Sequence, residues 1–519
     1  MQKKLPIDVS TFKIMIEENY LYIDKTQSIY NLIKNGRYFF LSRPRRFGKS
    51  LLISTLKEIF VGNKKLFKDL WIDSSDYEWH EYPVIDLDFS RIAHGTVDEL
   101  RASLIWTLTN IAQDYEIDIS QAPTLSDKLS YLIKRLSLIN KVVMIIDEYD
   151  KPILDHLQNP KDAHAQRELL KSFYDPLKSM DAYLRAIFIT GVTKFSKTSL
   201  FSGMNNLNDI SLDPKAAQLL GYTQEEIDKY FLLYLEDFAQ KKEISIQALL
   251  LELKKWYNGY RFSEEAVKVY NPFSVLYALE KKKFLNYWYQ SGTPTFLVHL
   301  IEKQYGSIEL INQAKIDQDS LGNFEINNIP LIPLLFQTGY LTISNYDKET
   351  GNFALNFPNF EVELSFTKFL VITLTQTSSI TLNTLGSQLI QALNNNEIEK
   401  FCSVLQTLFA HIPYPLIKTE AYYHVLFQFL LSLLSLEAQS ELFTDKGRID
   451  LVLSTASHTY IFELKLKASP KVALAQIKQR GYYQRFLHKS KHVVLVGLSF
   501  ISEDNQISLR FIQELIRPI

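Results

Sequence analysis

The strongest constraint on this chain is a strand-forming run, Tyr38-Phe39-Phe40-Leu41. It passes through Ser42-Arg43-Pro44-Arg45-Arg46-Phe47-Gly48-Lys49-Ser50 into a helical pattern from Leu51 to about Phe60. Strand, glycine-bearing turn and helix in that order form half of a βαβ unit. Three more apolar runs follow, Pro83 to Phe89, Val142 to Asp147 and Ala186 to Thr190, with helical patterns between them. Continuous apolar strands alternating with helices read as a buried parallel sheet. This section is expected to end near residue 212.

A loop that cradles phosphate needs glycine where the backbone N–H groups wrap the oxygens, lysine as a mobile charge, and Ser or Thr to hold Mg²⁺. Gly48, Lys49 and Ser50 supply the second half of that pattern, while Arg43 stands where the first glycine would be. Gly-Lys-Ser alone is common. What carries the reading is its pairing with Val142 to Ile146, an apolar strand ending in Asp147-Glu148. An aspartate at such a strand end binds Mg²⁺ through water, and a following glutamate can polarise the attacking water. Thr190, at a third strand end, is the candidate γ-phosphate sensor. Arg43, Arg45 and Arg46 form either a solvated basic loop or a contact to phosphate, a neighbouring subunit or DNA.

The remaining 300 residues change rhythm twice. Residues 213–300 read as helical and carry Trp256-Tyr257-Asn258-Gly259-Tyr260-Arg261-Phe262 and Tyr270-Asn271-Pro272-Phe273. In 301–415 a helix at Leu331–Phe336 and a hairpin around Tyr346–Gly351 suggest a winged-helix-like module, with a plain α+β connector as the alternative. From 416 onward a helix over about 419–436 leads into strands at Arg448–Leu453 and Thr459–Lys465. A helix over 471–487 and a strand at His492–Gly497 follow. Glu463 and Lys465 are two apart on a strand, so they share a face. Asp450 on the adjacent strand would bring a second carboxylate to them. Two carboxylates side by side are costly unless a divalent cation sits between them, and a lysine there can orient water toward a phosphodiester.

Charge and cysteine content narrow the classes. With 57 basic and 58 acidic side chains, a whole-molecule basic field is absent, and any grip on nucleic acid must come from local patches. Lys467, Lys471, Lys478, Arg480, Arg485, Lys489 and Lys491 form one such crowd. A solvated helix face explains them equally well. One cysteine, Cys402, excludes a disulfide framework and a thiolate-rich metal site. No signal-like N-terminus and no apolar run of 18 residues is present, so a cytoplasmic protein with no membrane span is expected.

The loop Ser42–Leu51 resembles that of the bacterial AAA-ATPase-like family, whose usual form is Arg-Pro-Arg-Arg-Phe-Gly-Lys-Ser. So do Asp147-Glu148-Tyr149-Asp150-Lys151-Pro152-Ile153, Thr190 to Ser196, and the segments Trp256–Phe262 and Asn271–Phe273. The opening Leu5-Pro6-Ile7 and Tyr22 to Thr26 fit as well. The resemblance covers roughly residues 5–300 and implies a nucleotide site of Arg46, Phe47, Gly48, Lys49, Ser50, Leu51, Asp147 and Thr190, with Glu148 as base. Residues 416–505 resemble the PD-(D/E)XK nuclease superfamily, in the branch often fused to such ATPases. Asp450, Glu463 and Lys465 fall on its motif, Gln476 on its following helix, and Glu420 could supply a further carboxylate.

The expected fold is therefore an α/β multidomain chain. It has a P-loop αβα ATPase core (1–212), a helical lid (213–300), a winged-helix-like and helical connector (301–415) and a restriction-endonuclease-like α/β domain (416–519). The implied metals are Mg²⁺ at Ser50 and Asp147, and Mg²⁺ or Mn²⁺ at Asp450, Glu463 and Glu420. The implied partners are ATP and nucleic acid, DNA first. A homo-oligomer is left open, since an arginine finger can come from another subunit. The alternative is a nucleotide-switched interaction or DNA-binding module with little nuclease turnover. A general helicase or motor is the weaker third reading, because no further ordered motor motifs are present.

Overall fold

The computed structural model describes residues 3–195, 201, 204, 206–264, 267–290, 297, 300, 314–322, 326, 328–375, 377–409, 427, 430, 437–444, 447–466, 468–487, 492–503 and 506–516. The chain forms two compact units, residues 1–300 with 311–362, and residues 301–310 with 363–519.

The first unit is built on a five-stranded sheet of β1 (Tyr38–Ser42), β2 (Val84–Asp88), β3 (Val142–Asp147), β4 (Leu184–Gly191) and β5 (Asn208–Asp209), in the order β2-β3-β4-β1-β5. Every pairing is parallel. Residues Val142 to Ile146 are fully buried, as a central strand covered on both faces requires. The helix Lys49–Phe60 follows β1 and buries Leu52, Ile53, Leu56, Ile59 and Phe60, one stripe at helical spacing. Parallel strands all point one way, so Ser42, Asp147 and Thr190 emerge at the same carboxyl edge, where ligands bind in open α/β sheets.

The helical section packs against the N-terminal segment. Leu5 and Ile23 share a core with Ile227, Phe231, Leu249, Leu253, Tyr257 and Val275, from the helices Gln224–Tyr230, Ile246–Tyr257 and Pro272–Lys281 and the residue following the first of them. Asn271 caps the last helix by accepting from the Ser274 amide, and Pro272 takes its first position. The expected helix and hairpin lie at Leu331–Thr338, β7 (Thr342–Asp347) and β8 (Asn352–Asn356), followed by the helix Phe360–Thr375. A short strand not read from the sequence, β6 (Lys315–Ile316), pairs with β8 to complete a three-stranded antiparallel sheet.

In the second unit five strands run in the order β13-β12-β11-β10-β9. They are β9 (Glu437–Thr444), β10 (Gly447–Ser454), β11 (His458–Leu466), β12 (His492–Glu503) and β13 (Gln506–Ile516). Only β11 and β12 pair in parallel, joined through the helix Pro470–Gln479. That helix is shorter than the expected 471–487, ending before Gly481, whose φ is +63°. A side chain at Gly497 would come within 2.4 Å of the Pro470 carbonyl oxygen, so glycine there lets the helix close onto β12. β9 and β13 were not anticipated. In β13, Phe511, Ile512, Leu515 and Ile516 match a helical stripe as well as a strand, and periodicity alone does not separate the two. Of the expected helix 419–436 the described residues include Phe427 and Leu430, both helical and buried, while Glu420, Lys467, Lys489 and Lys491 lie outside the described residues.

Among the described residues no helix is long and apolar enough to cross a membrane.

Candidate functional site

Gly48 has φ +95°, a left-handed turn that only glycine takes without strain, and it sets the start of the following helix. The turn brings Lys49 and Ser50 to the end of β3. The Ser50 hydroxyl donates to Asp147 Oδ2 at 2.7 Å, across 97 residues of sequence. Thr190 donates to Asp147 Oδ1, and so does the Glu148 amide at 3.0 Å. Lys49 is buried, and its Nζ donates to the carbonyls of Arg43 and Pro44 at 3.0 Å each. Burial pushes its ammonium down, while Asp147, Glu148 and Asp150 pull it back up. Glu148 is half-buried, and desolvation raises its carboxyl, opposed first by Lys49.

These groups open on a cavity of about 490 Å³. Asp8, Ser10, Arg45, Arg46, Lys49, Ser50, Glu148 and Lys151 form its polar side together with the Gly48 backbone, and Pro6, Leu51, Tyr222, Phe273 and Leu276 are among its apolar residues. A smaller apolar pocket adjoins it, lined by Leu21, Phe47, Leu51, Leu220 and Tyr222 among others. Of the residues read from sequence, Phe47, Asp147 and Thr190 are absent from the cavity wall: Phe47 lines the adjoining apolar pocket, and Thr190 is fully buried on Asp147. Pro6, Lys151, Tyr222 and Phe273 line the cavity without having been picked out. No spacing rule connects such distant positions, although Pro6, Lys151 and Phe273 stood inside motifs already noticed.

Arg43 corrects the expectation of a solvated or ligand-contacting basic loop at its position. It is only 2% exposed. Its guanidinium donates to the carbonyls of Ser42, Ser211 and Ala216, and lies 4.2 Å from the centre of the Phe262 ring. Burial lowers its pKa to about 9. Phe47 meets Tyr260 and Phe262 edge-on at 4.7 and 5.4 Å. The Trp288 indole donates to the Arg45 carbonyl at 3.1 Å. The loop is thus held from behind by the aromatic motif Trp256–Phe262, while Arg46 stays exposed.

Glu361 sits behind the same wall, fully buried. Its oxygens accept from the Ser274 hydroxyl and the Trp288 amide, both at 2.7 Å. Burial pushes its carboxyl up to about 8, although both hydrogen bonds pull the other way. From pH 4.5 to 8 the native state therefore keeps a proton that the unfolded chain releases. The stability this gives is complete below 4.5 and is lost as pH rises toward 8. Glu361→Gln fits the same two partners, so its stability should gain on the native chain by up to about 5 kcal/mol between pH 4.5 and 8. A constant difference across that range would contradict this.

In the second unit, Leu451 pairs with Phe462, which sets Asp450 opposite Glu463. Asp450 Oδ2 accepts from the Leu464 amide at 2.8 Å. Glu463 is fully buried. Its Oε1 takes the Lys465 ammonium at 3.2 Å and a hydrogen bond from Gln476. The structure therefore brings Asp450, Glu463, Lys465 and Gln476 together. Lys478, from the basic crowd, is paired with Glu514.

Both oxygen sets fit a hard cation. Ser50 and Asp147 offer a hydroxyl and a carboxylate already in contact, and Asp450 and Glu463 offer two carboxylates on neighbouring strands. Among the described residues no group of three or more His, Cys, Asp or Glu forms a closed cage.

The folds and the two clusters define a fusion of an ATPase-like unit with a nuclease-like one. The family described as "Predicted AAA-ATPase" matches residues 6–201, and the PD-(D/E)XK nuclease superfamily matches residues 418–508. A protein of Azotobacter chroococcum mcd 1, described as "Uncharacterized protein in vnfD 5'region", is 35% identical over 528 residues, covering 99% of each chain. The chain belongs to this family of AAA-ATPase-like proteins with a C-terminal PD-(D/E)XK nuclease domain.

Proposed function

We propose that the chain binds and hydrolyses ATP in the loop cavity and cleaves DNA at Asp450, Glu463 and Lys465 under nucleotide control. The carrying observation is the 2.7 Å contact of Ser50 with Asp147 at the foot of a cavity lined by Lys49. This is the oxygen pair that a magnesium nucleotide needs. In this reading Lys49 exchanges the Arg43 and Pro44 carbonyls for phosphate oxygens. Tyr222, Phe273 and Pro6 shelter the base, and Thr190 orients Asp147. Glu148, its carboxyl raised, accepts the proton of the attacking water. Mg²⁺ at each site would neutralise phosphate charge and lower the pKa of bound water.

The nuclease half is supported by the placing of Asp450 and Glu463 on neighbouring strands, with Lys465 against Glu463 on the same strand. Lys465 orients the water on the shared strand face, and Gln476 fixes the Glu463 rotamer. The loop's attachment to the Trp256–Phe262 motif favours a second reading beside the first, a nucleotide-driven change in the helical lid that gates a partner or DNA. The intended setting is the cytoplasm, and the helix–hairpin–helix section around Leu331–Asn356 serves as a winged-helix-like connector.

The test is purified full-length protein on plasmid and linear DNA, with Mg²⁺ or Mn²⁺, with and without ATP. Metal-dependent cleavage that ATP changes several-fold is expected. Metal-independent cleavage, or none in any condition beside normal ATP turnover, would leave the switch reading in its place.

A further inference from the structure

The cavity has four cationic side chains among the described residues, and three of them, Arg45, Arg46 and Lys49, belong to the phosphate loop. The fourth, Lys151, comes from the segment that follows β3, where it opens the short helix Lys151–Leu154. It stands three residues beyond Glu148, and its amide donates to the Glu148 carbonyl at 3.0 Å. Both Glu148 and Lys151 line the cavity, so in the ATPase reading the lysine stands beside the group that takes the proton of the attacking water. We propose that Lys151 is a catalytic residue that binds the terminal phosphate in cis, supplying the charge otherwise expected from another subunit's arginine. This deepens the ATPase reading above and rests on it.

The side chain is held ready rather than fixed in place. Its Nζ donates to Asp155 Oδ2 at 2.8 Å, one helical turn on, and the lysine side chain remains 28% exposed. The same Asp155 oxygen lies 3.0 Å from His94 Nε2. His94 Nδ1 lies 2.6 Å from the Ile92 carbonyl. Both ring nitrogens face acceptors, an arrangement that favours the doubly protonated ring. Its pKa is raised, first of all by the bond to Asp155. Burial works to raise the Asp155 carboxyl, but His94 and Lys151 outweigh it and hold it down at about 2. Asp155 therefore keeps His94 beside it when Lys151 swings away, and its side chain is 38% exposed, so water also reaches the carboxylate and the cost of the swing is small.

In the step itself, the water oxygen bonds to the γ-phosphorus as the bond to the β,γ-bridging oxygen breaks. The bond's electron pair leaves with ADP, and the water proton passes to Glu148. Charge on the γ-phosphoryl oxygens is what Lys151 meets, and that charge is present in ATP and absent in ADP. Its contribution should therefore appear as discrimination between triphosphate and diphosphate as well as in rate.

The experiment compares the full chain with Lys151→Ala and Lys151→Arg. Calorimetry gives affinities for Mg²⁺ with a non-hydrolysable ATP analogue and for MgADP, and phosphate release gives kcat and KM. Lys151→Ala is expected to keep MgADP affinity, to lose about 10-fold in preference for the triphosphate, and to lose about 100-fold in kcat with KM changed far less. Lys151→Arg should recover part of both. Unchanged triphosphate preference and kcat in Lys151→Ala would overturn the proposal, as would an equal loss of both nucleotides. If the unsubstituted chain binds neither nucleotide, the ATP-site reading itself falls and takes this inference with it. The ADP titration keeps the two failures apart.

Discussion

Lys49→Ala is expected to reduce ATP turnover by at least about 100-fold and to weaken MgATP binding, read by phosphate release and calorimetry. The ammonium is the buried charge at the bend of the loop, and in the structure it is spent on the Arg43 and Pro44 carbonyls at 3.0 Å. Those two bonds are what phosphate oxygens replace. A control is needed because the same bonds help to close the loop. Lys49→Arg retains the charge and the donors but not the compact ammonium that fits between two carbonyls and a phosphate. It should keep more binding than alanine and little turnover. The loop itself should survive either change, since Arg43, Phe47 and the Trp288–Arg45 bond anchor it from behind. Loss of folding together with loss of binding in both variants would mean that Lys49 is structural. Undiminished turnover in Lys49→Ala would remove the loop from the chemistry.

What could be read from the chain depended on how far apart the interacting residues lie. The strand–loop–helix around Gly48 and the acidic end of Val142–Asp147 were legible because each is a local pattern, and sheet topology then forces them to one edge. The two-residue step from Glu463 to Lys465 was legible for the same reason. Arg43 was misread because its burial is decided by Ser211, Ala216 and Phe262, all more than 160 residues away. In sequence it is one basic residue among three; in space it is the one facing inward. Glu361 and the Lys151–Asp155–His94 cluster were invisible on similar grounds, since a lone glutamate in a helix or a histidine in a loop carries no periodic signal. β13 failed differently, because its pattern is local but fits two periods. In the basic crowd from residue 467 onward, the pairing of Lys478 with Glu514 had no local signal either, because the partner comes from β13.

Asp450→Asn should abolish metal-dependent DNA cleavage, a loss on the order of 10³-fold or more, while ATP binding stays intact. Asparagine is the informative choice. Asp450 Oδ2 accepts from the Leu464 amide at 2.8 Å, so alanine would leave a strand amide without its side-chain acceptor and blur a catalytic loss with a folding one. Asparagine keeps an oxygen there and removes only the charge that a divalent cation would use. Glu463→Gln probes the other carboxylate under the opposite condition. A neutral side chain at that buried position relieves desolvation, so it should raise the melting temperature or leave it unchanged while cleavage falls as steeply. Gln476→Ala should lose only about 10–100-fold, as expected of a group that orients a ligand. The discriminating result is the combination: dead Asp450→Asn and Glu463→Gln proteins that melt no lower than the parent and still bind MgATP. Cleavage retained in Asp450→Asn would remove the nuclease assignment. A melting temperature that collapses in Glu463→Gln would instead make the buried carboxylate and Lys465 a structural ion pair.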